Sequence, residues 1–212
     1  MKQNKVFYAI VRTVFKIFLR VYNRISITWQ QKFDANGENF IVACNHASNM
    51  DPVIVGCFFP RRLRYFAKEE LFKFAPFRLA IESLGAVPVS RENNASAAGA
   101  LRGFMKLYED GNDVLIFPEG GRSLDGKLQP LEAGVAVIAS HTHAPILPVF
   151  IKGSFAAMPP GSALIKPKKI RVIFGEPLRF PDEVYKTKNG RNVIMAELSK
   201  RFSEFESQFE GK

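Results

Sequence analysis

Apolar residues follow two rhythms along this chain. Near the amino terminus, Phe7, Ile10, Val11, Val14, Phe15, Phe18, Leu19, Tyr22 and Ile25 recur at three- and four-residue intervals, the spacing of a helix. Beyond the Asn36–Gly37 turn, short β-rich runs take over: Phe40–Cys44, Leu63–Ala67, Gly85–Val89, Asp113–Phe117, Ile146–Phe150 and Lys169–Phe174. Helical stretches separate them. One starts at Asp51–Pro52, where proline suits a first turn, and runs to Phe59. Lys68–Leu84 reads as short helices broken near Pro76, followed by helices over Ala95–Glu109, Ala133–Ser140 and 192–209. This alternation predicts a single α/β domain, with a mixed or largely parallel sheet flanked by helices.

Charge changes the picture of the first segment. Residues 2–32 carry Lys2, Lys5, Arg12, Lys16, Arg20, Arg24 and Lys32 and no acid. Arg12, Lys16, Arg20 and Arg24 recur every four positions, one stripe on a helix. A basic amphipathic helix with a wide phenylalanine-rich face suits a lipid surface better than nucleic acid, with docking on the domain core as the alternative. Residues 1–32 are therefore expected to form a membrane-attachment element that offers its basic stripe to anionic phospholipid, with Trp29 at headgroup level. Residues 33–212 form the α/β domain. Charge interrupts every window of about twenty residues, so a spanning segment is not expected.

The whole chain of 212 residues is 47% hydrophobic, enough for a core, and its net charge of +10 favours anionic partners. Cys44 and Cys57 are too few for a disulfide scaffold or a four-cysteine metal site and read as small core residues. His141 and His143 lack an identifiable third metal ligand and read as surface or interface residues. No metal site is expected.

Two polar loops follow predicted strands. Residues 45–51 read Asn-His-Ala-Ser-Asn-Met-Asp, and residues 117–123 read Phe-Pro-Glu-Gly-Gly-Arg-Ser. In open α/β sheets, substrate sites collect at the carboxyl ends of strands, so loops far apart in sequence can meet. An imidazole titrates near neutrality, which suits His46 to general-base work. Asp51 would fix its tautomer and stabilise the imidazolium, or would cap the helix at Pro52, or would do both through different carboxylate oxygens. Arg91 and Arg122 offer planar forks for phosphate oxygens, and the Gly120–Gly121 turn lets backbone amides come close to an anion. No G-x-S-x-G elbow is present, and neither Ser48 nor Ser123 reads as a nucleophile.

These residues resemble the glycerolipid acyltransferase family, and most closely the bacterial 1-acylglycerol-3-phosphate acyltransferases. Four blocks occur in the family's order. They are His-x4-Asp at His46 and Asp51, glycine and arginine six apart at Gly85 and Arg91, Phe-Pro-Glu-Gly-Thr-Arg-Ser at Phe117–Ser123, and a proline-centred strand at Ile146–Val149. Gly121 replaces the threonine of the third block. The resemblance implies transfer of a fatty acyl group from acyl carrier protein or coenzyme A to a lysolipid hydroxyl, with no cofactor beyond the acyl donor. It implies attachment to the cytoplasmic face of a bacterial inner membrane. It also implies substrate contacts at Lys68, Arg91, Glu119, Gly120, Gly121 and Arg122, with Glu119 either binding an acceptor hydroxyl or serving site architecture, for instance by anchoring an arginine. The substitution at Gly121 leaves another acceptor open, such as a lyso-ornithine lipid. A membrane adaptor without catalysis is the alternative of a different class. For the acyl chain, Phe58, Phe59, Phe72, Phe74 and Phe77 are expected near the motifs, in a groove or in ordinary core.

Overall fold

The computed structural model describes residues 5–34, 36–89 and 97–210. Arg91 therefore lies outside the described residues. Helix α1 (Lys5–Tyr22) leads into strand β1 (Ser26–Trp29), and then β2 (Ile41–Cys44), α2 (Asp51–Phe58) and β3 (Leu63–Lys68) follow. A single 3-10 turn, Glu69–Phe72, precedes α3 (Ala75–Ser83) and β4 (Ala86–Val89). The chain continues through α4 (Ala97–Glu109), β5 (Asp113–Ile116), α5 (Gly134–Thr142), β6 (Ile146–Lys152) and α6 (Ser154–Ala157). It ends with β7 (Arg171–Phe174), α7 (Asp182–Lys186) and α8 (Lys188–Glu210).

Seven strands form one sheet in the order β1-β7-β6-β2-β5-β3-β4. Every neighbouring pair is parallel except β6 and β7. The largely parallel sheet explains the unbroken apolar runs: β2 and β5 are buried at every position, because helices cover both faces. One core layer joins α1, α2 and α3 to the sheet through Leu19, Ile54, Phe59 and Ile81. The opposite layer seats α5 and α8 through Ile138, Ile194, Leu198 and Phe202. Cys44 and Cys57 are fully buried core residues, as expected.

Gly85 is required where it stands. Its φ is +105°, and a Cβ there would lie 1.7 Å from the Leu63 carbonyl oxygen. The close approach lets the β3 and β4 backbones pair at the sheet edge.

The first segment differs from the sequence expectation in two respects. The helix ends at Tyr22, and residues 26–29 join the sheet beside β7 rather than extending a helical element to residue 32. Trp29 consequently stacks on Phe174, with ring centroids 4.0 Å apart, instead of standing free at headgroup level. Four residues are too short a run for a period to declare itself, and the adjacent helical pattern masked the strand.

The second difference concerns the basic stripe. Arg12 turns inward and donates to the carbonyl oxygens of Cys57 (2.8 Å), Phe59 and Pro60 (3.4 Å). These carbonyls lie at the carboxyl end of α2, where the last turn leaves acceptors without helical partners. Lys16 and Arg20 lie over the Phe58 ring at 5.7 and 5.8 Å. Tyr8, Val11, Phe15 and Leu19 pack beneath them against the core. The other side of α1 is apolar too, and exposed: Val6, Phe7, Ile10, Val14, Ile17, Phe18 and Val21 all face outward. A helix with a stripe docked on its domain and a second apolar stripe facing out presents an unusually large exposed patch. No helix among the described residues is long and apolar enough to cross a membrane.

Candidate active site

Strand neighbours bring the motif loops together. Strands β2, β5, β3 and β4 lie side by side and parallel, so the chain leaves all four at the same edge of the sheet. The loop after β2 carries His46, the loop after β5 carries Glu119 to Arg122, and β3 ends at Lys68. Strand β4 ends two residues before Arg91.

The β2 loop is wound around Asp51. His46 Nδ1 lies 3.0 Å from Asp51 Oδ2. The same oxygen accepts the backbone N–H groups of Ala47 and Ser48, both at 2.7 Å. An ionised carboxylate only accepts, so in the neutral imidazole the proton sits on Nδ1 and Nε2 keeps its lone pair. Asp51 is fully buried, whereas the His46 side chain is 17% exposed. The His46 ring also stacks on Phe117, with centroids 4.0 Å apart and planes 20° from parallel. Asp51 is not the helix cap that sequence allowed. Met50 occupies that position, because the Asp51 carboxylate folds back over the loop.

Glu119 holds this loop to the next one. Its Oε1 accepts the His46 backbone N–H at 2.5 Å, and its Oε2 accepts the Gln129 N–H at 2.8 Å. Burial pushes its carboxyl pKa above the ordinary range, against the pull of those two amides. Ser123 N–H donates to the His46 carbonyl at 2.8 Å, which makes a second tie between the loops. Both Glu119 oxygens thus serve the architecture that sequence offered as one of two roles.

Arg122 donates from Nη1 to Asn49 Oδ1 at 2.9 Å. Together with His46 and Lys68 it borders a cavity of 430 Å³. Apart from Asn49, the rest of its wall is mainly apolar, with Val53, Tyr65, Phe66, Leu71, Ile81 and Met158 in it. Its size falls within the usual range for a small-molecule site. Of the phenylalanines expected in a groove or in ordinary core, three take the core reading. Phe58 and Phe59 are buried in the core, Phe72 packs against it, and Phe74 is 69% exposed. The side chain of Phe77 lies outside what the structure describes.

The glycine pair divides its duties. Gly120 has φ +67°, a left-handed conformation, and its amide closes a turn on the Phe117 carbonyl at 3.1 Å. That bond competes with the expected approach of this amide to an anion. Gly121 has ordinary φ and nothing within 4 Å of an added Cβ. Gly121→Thr is therefore expected to leave stability within about 0.5 kcal/mol. Gly120→Ala should cost about 1–2 kcal/mol for the left-handed backbone. Denaturant melts of the two variants check this contrast.

Several site residues left no legible mark in the sequence. Asn45, at the end of β2, copies a strand residue: its side chain donates to Ile151 O at 3.0 Å and accepts from Ile151 N–H at 2.7 Å. Ser48 Oγ donates to Met158 O at 2.7 Å, and Ser123 Oγ to Asp125 Oδ1 at 2.9 Å. Both hydroxyls are spent on the loops. His141 and His143 lie on the surface, beside Glu109 and Asp182.

Known proteins resemble this chain in sequence and in fold. The chain is 28% identical over 205 residues to the 1-acyl-sn-glycerol-3-phosphate acyltransferase of Bacillus subtilis (strain 168), covering 96% of this chain and 98% of that protein. It is 27% identical over 178 residues to the probable 1-acyl-sn-glycerol-3-phosphate acyltransferase of Mycoplasma pneumoniae, across 78% of this chain and 66% of that one. The crystal structure of the 1-acyl-sn-glycerophosphate acyltransferase from Thermotoga maritima has the same fold, with a TM-score of 0.77 at 24% identity, over 100% of this chain and 85% of that one. The family described as Acyltransferase matches residues 24–152, which carry both loops, all four motif blocks and six of the seven strands in full. With that match over more than half its length, this chain belongs to the acyltransferase family.

Proposed function

We propose that the protein transfers a fatty acyl group from a thioester, carried by acyl carrier protein or coenzyme A, to the free hydroxyl of 1-acylglycerol-3-phosphate, forming phosphatidic acid. The observation that carries this reading is the His46–Asp51 pair at the border of an apolar cavity that Arg122 and Lys68 also line. Similarity to relatives named for that reaction supports it.

In the proposed step, His46 Nε2 takes the proton of the acceptor hydroxyl as that oxygen attacks the thioester carbonyl carbon. Asp51 holds the opposite ring nitrogen and stabilises the imidazolium. The tetrahedral intermediate collapses by breaking the C–S bond, and the imidazolium returns the proton to the thiolate. An ester replaces a thioester, and one thiol is released. Ser48 and Ser123 are engaged elsewhere, which favours direct transfer over an acyl-serine intermediate. The apolar cavity suits an acyl chain, and Arg122 suits the acceptor phosphate. Arg91 is the second phosphate ligand of this reading.

Attachment to a membrane surface completes the proposal. The outward stripe of α1 offers apolar area on the side of the domain that also holds the cavity, whose Val53 and Ile81 belong to α2 and α3. Such a helix would lie in the interface without spanning it.

Arg122→Ala is expected to lower kcat/KM for 1-acylglycerol-3-phosphate by about 10–100-fold, the loss of one charge-assisted contact of roughly 1.5–3 kcal/mol. An uncharged monoacylglycerol should lose far less. Steady-state rates on both acceptors and on a lyso-ornithine lipid check this. Equal losses on all of them reject the phosphate contact. A preference of the wild-type chain for the lyso-ornithine acceptor replaces the substrate.

A further inference from the structure

The helix proposed to meet the membrane has turned part of its basic stripe, Arg12 above all, toward its own domain, while Arg20 stays exposed. The rest of its outward face is apolar, so Arg20 and the neighbouring Arg24 are the exposed part of that stripe. Positive charge reaches that neighbourhood from another part of the chain. Residues 133–175 contain no aspartate or glutamate, as residues 1–33 contain none, and the two acid-free stretches meet in space. Asn23, fully buried just after α1, donates from Nδ2 to the carbonyl oxygens of Lys166 (3.0 Å) and Lys168 (3.2 Å). Tyr22 Oη donates to Ile165 O at 3.0 Å, and Ile170 N–H donates to Asn23 O at 3.1 Å. The segment before β7 is thereby locked to the carboxyl end of α1, and three prolines at 159, 160 and 167 stiffen it.

Lys166, Lys168 and Lys169 are exposed on this segment. Leu164, 77% exposed, stands beside them, and Val21 is 75% exposed near the end of α1. Arg24 is also exposed there. Lysines beside outward apolar side chains, continuous with a long apolar helix face, match the two layers of an anionic bilayer: charged headgroups and acyl chains. An acidic protein would match the lysines but would leave the apolar stripe unused.

We infer that residues 159–169 form a second membrane contact, one that recognises negative lipid charge while α1 supplies insertion. This inference rests on the membrane attachment proposed above. The anchoring by Asn23 fixes the lysines relative to α1, so both elements meet one surface together.

Co-sedimentation of the full chain with phosphatidylcholine vesicles, with and without phosphatidylglycerol, tests it. Replacing Lys166, Lys168 and Lys169 together by glutamine is expected to weaken binding to the anionic vesicles by about 10–100-fold. Each lysine near such a surface is worth roughly a factor of five. Binding to neutral vesicles should be unchanged. The triple arginine variant should keep the anionic preference. So should a triple glutamine variant at Lys106, Lys188 and Lys200, which removes the same charge from helices on the opposite layer. An α1 variant with Val14, Ile17 and Val21 changed to serine should lose binding to both vesicles. If the Lys166/168/169 glutamine variant, with an unchanged melt, still prefers anionic vesicles as the wild type does, the inference is overturned. If that variant instead loses only the use of acyl carrier protein thioesters, the patch is a protein-docking surface and the inference is again overturned. If the wild-type chain binds neither vesicle, the attachment by α1 itself fails.

Discussion

His46→Ala is expected to lower acyl-transfer turnover by about 10²–10⁴-fold, the span of general acid–base catalysis. The protein should remain folded. The loop that carries His46 is held mainly by backbone groups: its own N–H on Glu119 and its carbonyl under the Ser123 amide. Asp51 keeps two N–H donors after the imidazole is gone, so the buried carboxylate is not stranded. Alanine removes the proton acceptor and the ring stacked on Phe117 and little else. Turnover with matched thermal melts checks this result. Near-wild-type turnover by a folded variant contradicts the assignment of His46.

Asp51→Asn should cost turnover of the order of 10²-fold or more, approaching the roughly 10⁴-fold measured for loss of the equivalent charge in a serine-protease triad. The three donors around Asp51 all reach Oδ2, and Oδ1 has no hydrogen-bond partner among the described residues. An asparagine can put its carbonyl oxygen in the Oδ2 position and its amide group in the Oδ1 position. Geometry then survives while the negative charge beside the imidazolium is lost. The effect should fall on kcat, with KM little changed, because the residue would touch the base and not the substrate. A raised KM with kcat preserved would assign Asp51 to loop structure alone.

The parts legible in sequence were those set by local pattern. Strands buried on both faces read as unbroken apolar runs, and β2, β5 and β6 fall where those runs predict them. Pro52 marked the first turn of α2. The order of strands in the sheet was not legible, since pairing depends on contacts far apart in the chain. The α/β alternation nevertheless allowed the loops bearing His46 and Arg122 to be placed at one edge of the sheet.

The misreadings share one cause, competition from a distant partner. The Arg12 stripe has the spacing of a solvent-facing charge row, but the open carbonyls at the end of α2 claim its guanidinium. Trp29 looked like a headgroup anchor until Phe174, far along the chain, supplied a ring to stack on. Phe58, Phe59 and Phe72 take the ordinary core packing that sequence also allowed them. The cavity wall instead draws on Tyr65, Ile81 and Met158, which come from three separate elements or loops.

The central claim is direct acyl transfer to a lysolipid by the His46–Asp51 pair. Its most direct test is a single-turnover reaction of the purified full chain with acyl-labelled thioester. The expected result is no label on the protein when acceptor is absent. When 1-acylglycerol-3-phosphate is added, label should enter phosphatidic acid with one thiol released per product, and His46→Ala should form almost none. Label bound covalently to the protein before acceptor is added, or no phosphatidic acid from the folded wild-type chain, would contradict the account.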